Sequence, residues 1–152
     1  MTGHSFEEFI LGQSFETEGL TVTEAMIIDF GFRFDPQPFH IDSQAASRSP
    51  YGGLIASGFQ TLILTFRLFR DTGVISGTSQ GEAGADEVRW LRPVRPGDTL
   101  RVKVTVAGLL PSRRAERGIV RLTYATLNQH AEVVMTMTVN HLILRRITTE
   151  SP

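Results

Sequence analysis

The stretch from Leu54 to Arg70, LIASGFQTLILTFRLFR, constrains the fold more than any other part of the chain. Read as a helix, it carries Leu54, Ile55, Phe59, Leu62, Ile63, Leu64, Phe66, Leu68 and Phe69 on nearly every face, and a helix apolar all round is normally buried. Ser57, Gln60, Thr61, Thr65 and Arg67 interrupt it short of the roughly 18 clean apolar residues that a membrane span needs. It is expected to be a core helix, stopped by Asp71-Thr72-Gly73. Some other element must wrap it.

The wrapping material follows in the chain. Ala83 to Leu91, Thr99 to Leu110, Gly118 to Asn128 and Ala131 to Arg145 read as strands, joined by Pro93 to Asp98, Pro111 to Arg117 and a tight Asn128-Gln129-His130 turn. Leu100, Val102, Val104 and Val106 alternate with Arg101, Lys103 and Thr105, the mark of an antiparallel strand buried on one side. The expected class is therefore α+β, an antiparallel sheet curled around one long central helix. Upstream, Gln13 to Val22 reads as an edge strand with a turn or bulge at Glu18-Gly19, and a helix is expected from about Glu24 to about Arg33, capped by Thr21 or Thr23. A chain of 152 residues fits one domain, residues 1–152, with a tail expected to fray from Ile147.

Charge narrows the partners. With 15 Lys+Arg against 16 Asp+Glu the net charge is -1, so no global field draws nucleic acid or an anionic membrane, and an anionic ligand must be met locally. The absence of cysteine excludes disulfides, thiolate metal sites and Cys nucleophiles. His4, His130 and His141 have no partners at metal-ligand spacing, so no metal and no cofactor is expected. The N-terminus, MTGHSFEEFILGQSF, lacks a basic region and has only Phe9 to Leu11 as an unbroken apolar run, so a secretory signal is not expected and the cytoplasm is.

Ahead of the apolar stretch lies FDPQPFHID, Phe34 to Asp42. Its two prolines read as an ordered loop, since neither a helix interior nor a central strand tolerates them. Taken singly, Asp35 reads as a turn residue, His40 as a loop histidine satisfied by a carbonyl, and Asp42 as the N-cap of a short turn through Ser43 to Ala46. Turned toward one pocket, a carboxylate and an imidazole converging on one water form the acid/base pair for adding or removing water across a double bond. That chemistry needs a conjugated carbonyl that accepts charge. Donors for it would be backbone N–H groups in the first turn of a helix, where Gly52-Gly53 and Ser57-Gly58 allow close approach. Ser57 sits in no GxSxG elbow and reads as a packing or capping residue, and Trp90 as a core or interface aromatic.

The runs DPQPFHID, YGGLIASGFQT and RWLRPVRPGD together resemble the MaoC-like dehydratases and (R)-specific enoyl-CoA hydratases of the hot-dog fold, over about Thr21 to about Arg145. The resemblance implies that Asp35 and His40 bind a catalytic water and that the N–H of Gly58 holds a thioester oxygen. It also implies a homodimer with an acyl-CoA tunnel near the subunit interface. Gln37 stands where the family pattern has Asn and Ser57 where it has His, so Gln37 and Ser57 join Gly58 as expected substrate-binding residues. The implied activity is a hydro-lyase interconverting 2-enoyl and 3-hydroxyacyl thioesters of CoA or a carrier protein. The alternatives are a thioesterase on the same scaffold, its carboxylate activating water against the thioester carbonyl, and a non-catalytic acyl-thioester-binding subunit. Arg89, Arg92, Arg95 and Arg101 read first as a solvated face, with CoA phosphates as their functional reading.

Overall fold

The structure, a computed structural model, describes residues 2–147. The expectation for the tail beyond Ile147 lies outside the described residues. Four long strands build the sheet: β3 (Ser79–Trp90), β4 (Thr99–Pro111), β5 (Arg117–Leu127) and β6 (Val133–Leu144), with two short pieces, β1 (Ser14–Glu16) and β2 (Leu20–Thr21), against β4. All pairings are antiparallel, in the order β1-β4-β5-β6-β3, with β2 also on β4. The expected Gln13 to Val22 strand is thus divided, and β3 starts at Ser79 rather than Ala83. β6 starts at Val133 rather than Ala131, because Ala131 turns the chain with a positive φ of 58°.

Alternation places Leu100, Val102, Val104 and Val106 of β4 and Val120, Leu122 and Tyr124 of β5 in the core, where they meet Leu68 and Phe69. These last two belong to α4 (Gly58–Asp71), the long helix that lies across the sheet. Helix α4 begins at Gly58 rather than at Leu54. Ser57 caps it, its Oγ accepting from the N–H of Phe59 at 3.3 Å, while Ile55 and Ala56 donate their N–H groups to Phe39 O and Val94 O and stay extended.

Nor is α4 enclosed on every face. Gln60, Thr61, Thr65, Leu68 and Phe69 are buried, while Phe59 and Ile63 are 60% and 53% exposed. One sheet covers one side of a helix. Thr65 Oγ1 donates to Thr61 O and meets Thr126 Oγ1 of the sheet at 2.6 Å, while Gln60 Nε2 donates to Met26 O and its buried Oε1 is left without a hydrogen-bond partner among the described residues.

The other helices precede α4. Helix α1 (Glu24–Phe34) is capped by Thr23, whose Oγ1 accepts from Met26 N–H. The expected loop through the two prolines holds a short helix, α2 (Pro38–Ile41). Pro38 occupies its first position, where a missing N–H costs nothing and a fixed φ suits the helix. Asp42 then caps α3 (Ser43–Ser47), accepting from Gln44 and Ala45 N–H at 3.0 Å. Among the described residues no helix is long and apolar enough to cross a membrane.

Candidate active site

Asp35 ends α1, where Pro36 forbids another helical turn. Its side chain is held at three points. Oδ1 accepts from Gln37 Nε2 at 2.9 Å, Oδ2 accepts from Ser57 Oγ at 2.7 Å, and the same Oδ2 lies 3.3 Å from His40 Nε2. Partial burial alone would push the Asp35 carboxyl up, but the Ser57 hydroxyl, the Gln37 amide and the His40 ring outweigh it and hold the group below its ordinary value. The site carboxylate is therefore ionised at neutral pH.

His40 is buried on α2. Its Nδ1 lies 2.7 Å from Ile55 O, and a carbonyl can only accept, so Nδ1 carries a proton. In the neutral ring Nε2 is then the bare nitrogen, and it faces Asp35. Phe39 packs edge-on against the ring at 4.7 Å. Gly31, in the middle of α1, makes this packing possible: a Cβ there would lie 2.9 Å from His40 Cβ and from Ile41 Cγ2.

The extended Leu54–Ser57 segment runs beside this pair and delivers Gly58 as the first residue of α4. Backbone N–H groups in a helix's first turn have no acceptor within the helix, and they point out of its positive end. A cleft of about 420 Å³ opens over the site, within the usual size of small-molecule pockets. Asp35, Gln37 and His40 line it together with Ile55, Gly58, Phe59, Tyr51, Trp90 and Arg92.

Asp35, His40, Gln37, Ser57 and Gly58 thus gather in one place. Ser57 is fully buried behind Asp35 at 0% exposure, while Gln37 both bonds Asp35 and lines the cleft. Each of the four arginines has its own contact, Arg89 donating to Val88 O at 3.2 Å. Arg92 reaches the cleft and pairs with Glu132 at 2.9 Å, Arg95 donates to Tyr51 O at 2.7 Å, and Arg101 lies by Gly19. Sequence reasoning missed Gly31, and of the two readings of Trp90, core or interface, the core one is excluded by its 45% exposure beside Gly58. A glycine inside the bulky run IIDFGFRF was the available signal for a close helix contact. An ionised carboxylate beside a bare imidazole nitrogen can hold one water, take its proton and return a proton nearby.

The profile of the family described as MaoC like domain matches residues 7–129. The uncharacterized protein YdeM of Bacillus subtilis is 37% identical over 128 residues, 81% of this chain and 86% of that protein. A Rhodospirillum rubrum protein named (R)-specific enoyl-CoA hydratase is 29% identical over 117 residues, 73% of this chain and 75% of its own length. Two other curated relatives are much longer, and the chain spans only 30% and 22% of them. Among solved structures, the MaoC-like dehydratase from Rhodospirillum rubrum superposes with a TM-score of 0.85 at 40% identity, covering 95% of this chain and 99% of that one. The curled sheet with its long helix is the hot-dog fold.

Proposed function

The chain belongs to the MaoC-like domain family, and from that premise we propose that it is a hydro-lyase adding water to, or removing it from, acyl thioesters. One observation carries the reading: His40 Nε2 and Asp35 Oδ2 stand 3.3 Å apart in the wall of a cleft that also contains the first residue of α4. A relative named (R)-specific enoyl-CoA hydratase supports it.

In the hydration direction, Asp35 accepts a hydrogen bond from one O–H of a water, which the oxygen keeps, while His40 Nε2 takes the other hydrogen as a proton and the resulting hydroxide oxygen bonds to C3 of the enoyl group. The electron pair of the double bond moves through C2 onto the thioester oxygen. There the N–H of Gly58 stabilises the enolate. The imidazolium, held beside the Asp35 carboxylate, then returns its proton to C2 as the enolate collapses. One water is consumed and the pair is restored. Gln37 and Ser57 keep Asp35 ionised and fixed, so their part in substrate choice is through the position of the carboxylate and, for Gln37, through its place in the cleft wall.

A homodimer belongs to the same reading. Strand β3 is an open edge of the sheet, and Phe59 and Ile63 leave an apolar stripe of α4 uncovered. Light scattering on the purified chain should return twice the monomer mass. A monomer at working concentration contradicts this part.

The activity itself is tested with crotonyl-CoA and with saturated butyryl-CoA. Loss of enoyl absorbance from the first with no free thiol from the second is the expected result. Thiol release with unchanged enoyl absorbance overturns the hydro-lyase in favour of a thioesterase, and binding without turnover of either overturns catalysis.

A further inference from the structure

Donation from a backbone N–H to a developing enolate depends on how rigidly the donor is held, because electrostatic stabilisation is lost when dipoles must reorganise. Gly58 is held from above. At the end of β3, Trp90 donates its indole Nε1–H to Gly58 O at 2.7 Å. Its ring lies against the glycine: a Cβ on Gly58 would come within 2.7 Å of both Cε2 and Nε1. The same ring meets Phe59 edge-on at 5.4 Å.

Trp90 is 45% exposed and lines the cleft, with its polar edge spent on a carbonyl. That carbonyl has no shortage of donors, since the C=O of a helix's first residue already takes the N–H of the residue four on. The consequence of the indole bond is therefore positional. Gly58 also lacks a positive φ, so an alanine would suit the helix backbone, and the three atoms nearest its methyl would all belong to the Trp90 ring.

Resting on the thioester reading above, we propose that Trp90 is a positioning residue: it fastens the first residue of α4 to the sheet and so aims the Gly58 N–H at the thioester oxygen. Together with the Ala56 N–H to Val94 O bond at 2.8 Å, it ties both sides of Ser57 to the β3–β4 region before any substrate arrives.

The test needs no turnover. Butyryl-CoA carrying ¹³C at its thioester carbonyl is bound to the wild-type protein, to Trp90→Phe, which keeps a ring and loses the donor, and to Gly58→Ala, which keeps the donor and pushes the ring away. Isotope-edited infrared spectra should show the bound carbonyl stretch lowered in the wild type and returned toward its free value in both variants. In parallel, kcat on crotonyl-CoA should fall about tenfold, the scale of a small misplacement, and the dissociation constant for butyryl-CoA should rise by a smaller factor, about threefold, for the hydrogen bond lost in the ground state. Trp90 is the sole tryptophan, so its emission should shift to the red in Gly58→Ala and report the displaced ring even if Trp90→Phe folds poorly. A wild-type carbonyl shift retained in a folded variant whose ring has moved or lost its donor overturns the role of Trp90. A wild-type protein that leaves the carbonyl unshifted overturns the Gly58 donor itself, and the inference falls with it.

Discussion

Ser57 does two jobs with one hydroxyl, donating to Asp35 at 2.7 Å and accepting from the first turn of α4. Ser57→Ala should therefore cost about 1 kcal/mol as a lost cap. It should also let the Asp35 carboxyl rise toward its ordinary value, because the bond that most favours ionisation is gone while burial remains. With the hydroxyl present, the folded pKa lies below the unfolded one, so Asp35 contributes stability above the unfolded pKa and loses it as pH falls through the folded one. The variant narrows that window, and a carbon-detected titration of the Asp35 carboxyl measures it directly. Gly31→Ala is the second residue-scale case. Its methyl would force α2 away and move His40, at an overpacking cost of about 1–3 kcal/mol. Hydration should drop further than melting alone explains. Asp35 and His40 stood out in the sequence only jointly, through their spacing with the IASG stretch, and the structure brings them within 3.3 Å of each other. The Ser57 and Gly31 contacts were not legible, since they arise only when α1, α2 and the start of α4 meet.

At the scale of elements, the apolar pattern named α4 correctly and misplaced its start. Leu54 and Ile55 are apolar for a different reason: they line an extended segment buried between α2 and the Pro93-Val94 turn. Periodicity alone does not separate a buried extended run from a buried helical one. The prolines misled in the opposite direction, because Pro38 starts a helix as readily as it breaks one. How α4 is fastened to the sheet gives an asymmetric prediction. The Thr126 hydroxyl meets Thr65 Oγ1, whereas Thr65 also donates to Thr61 O. Thr65→Val should therefore strand a buried hydroxyl and cost about 1–3 kcal/mol, and Thr126→Val should cost less, in urea unfolding of the two variants. Equal costs would mean the Thr65 to Thr61 bond does not compensate.

For the whole molecule, strand alternation and the long helix were enough to read an antiparallel sheet curled on a helix, since both patterns are local. The uncovered stripe at Phe59 and Ile63 was not legible, because what covers a helix depends on how many layers surround it. Global stability should carry the signature of one buried group. His141 sits at 0% exposure with Tyr124 Oη at 2.6 Å from Nε2, and burial, with Arg70 adding to it, pushes the ring down to about 4. Unfolded, the same ring takes a proton below about 6.5. The unfolded state thus binds more protons between those values, and stability should fall as pH drops from about 6.5 to about 4, by at most about 3 kcal/mol. His141→Gln should flatten that slope in melting curves taken across the range. The central claim, one water shared by Asp35 and His40, is tested most directly by crotonyl-CoA hydration in wild type, Asp35→Asn, His40→Ala and the double variant. Each single change should slow the reaction at least about a hundredfold, and the double variant should be little slower than the worse single, as expected of groups acting as a unit. Full activity in either folded single variant, or losses that multiply in the double, would contradict it.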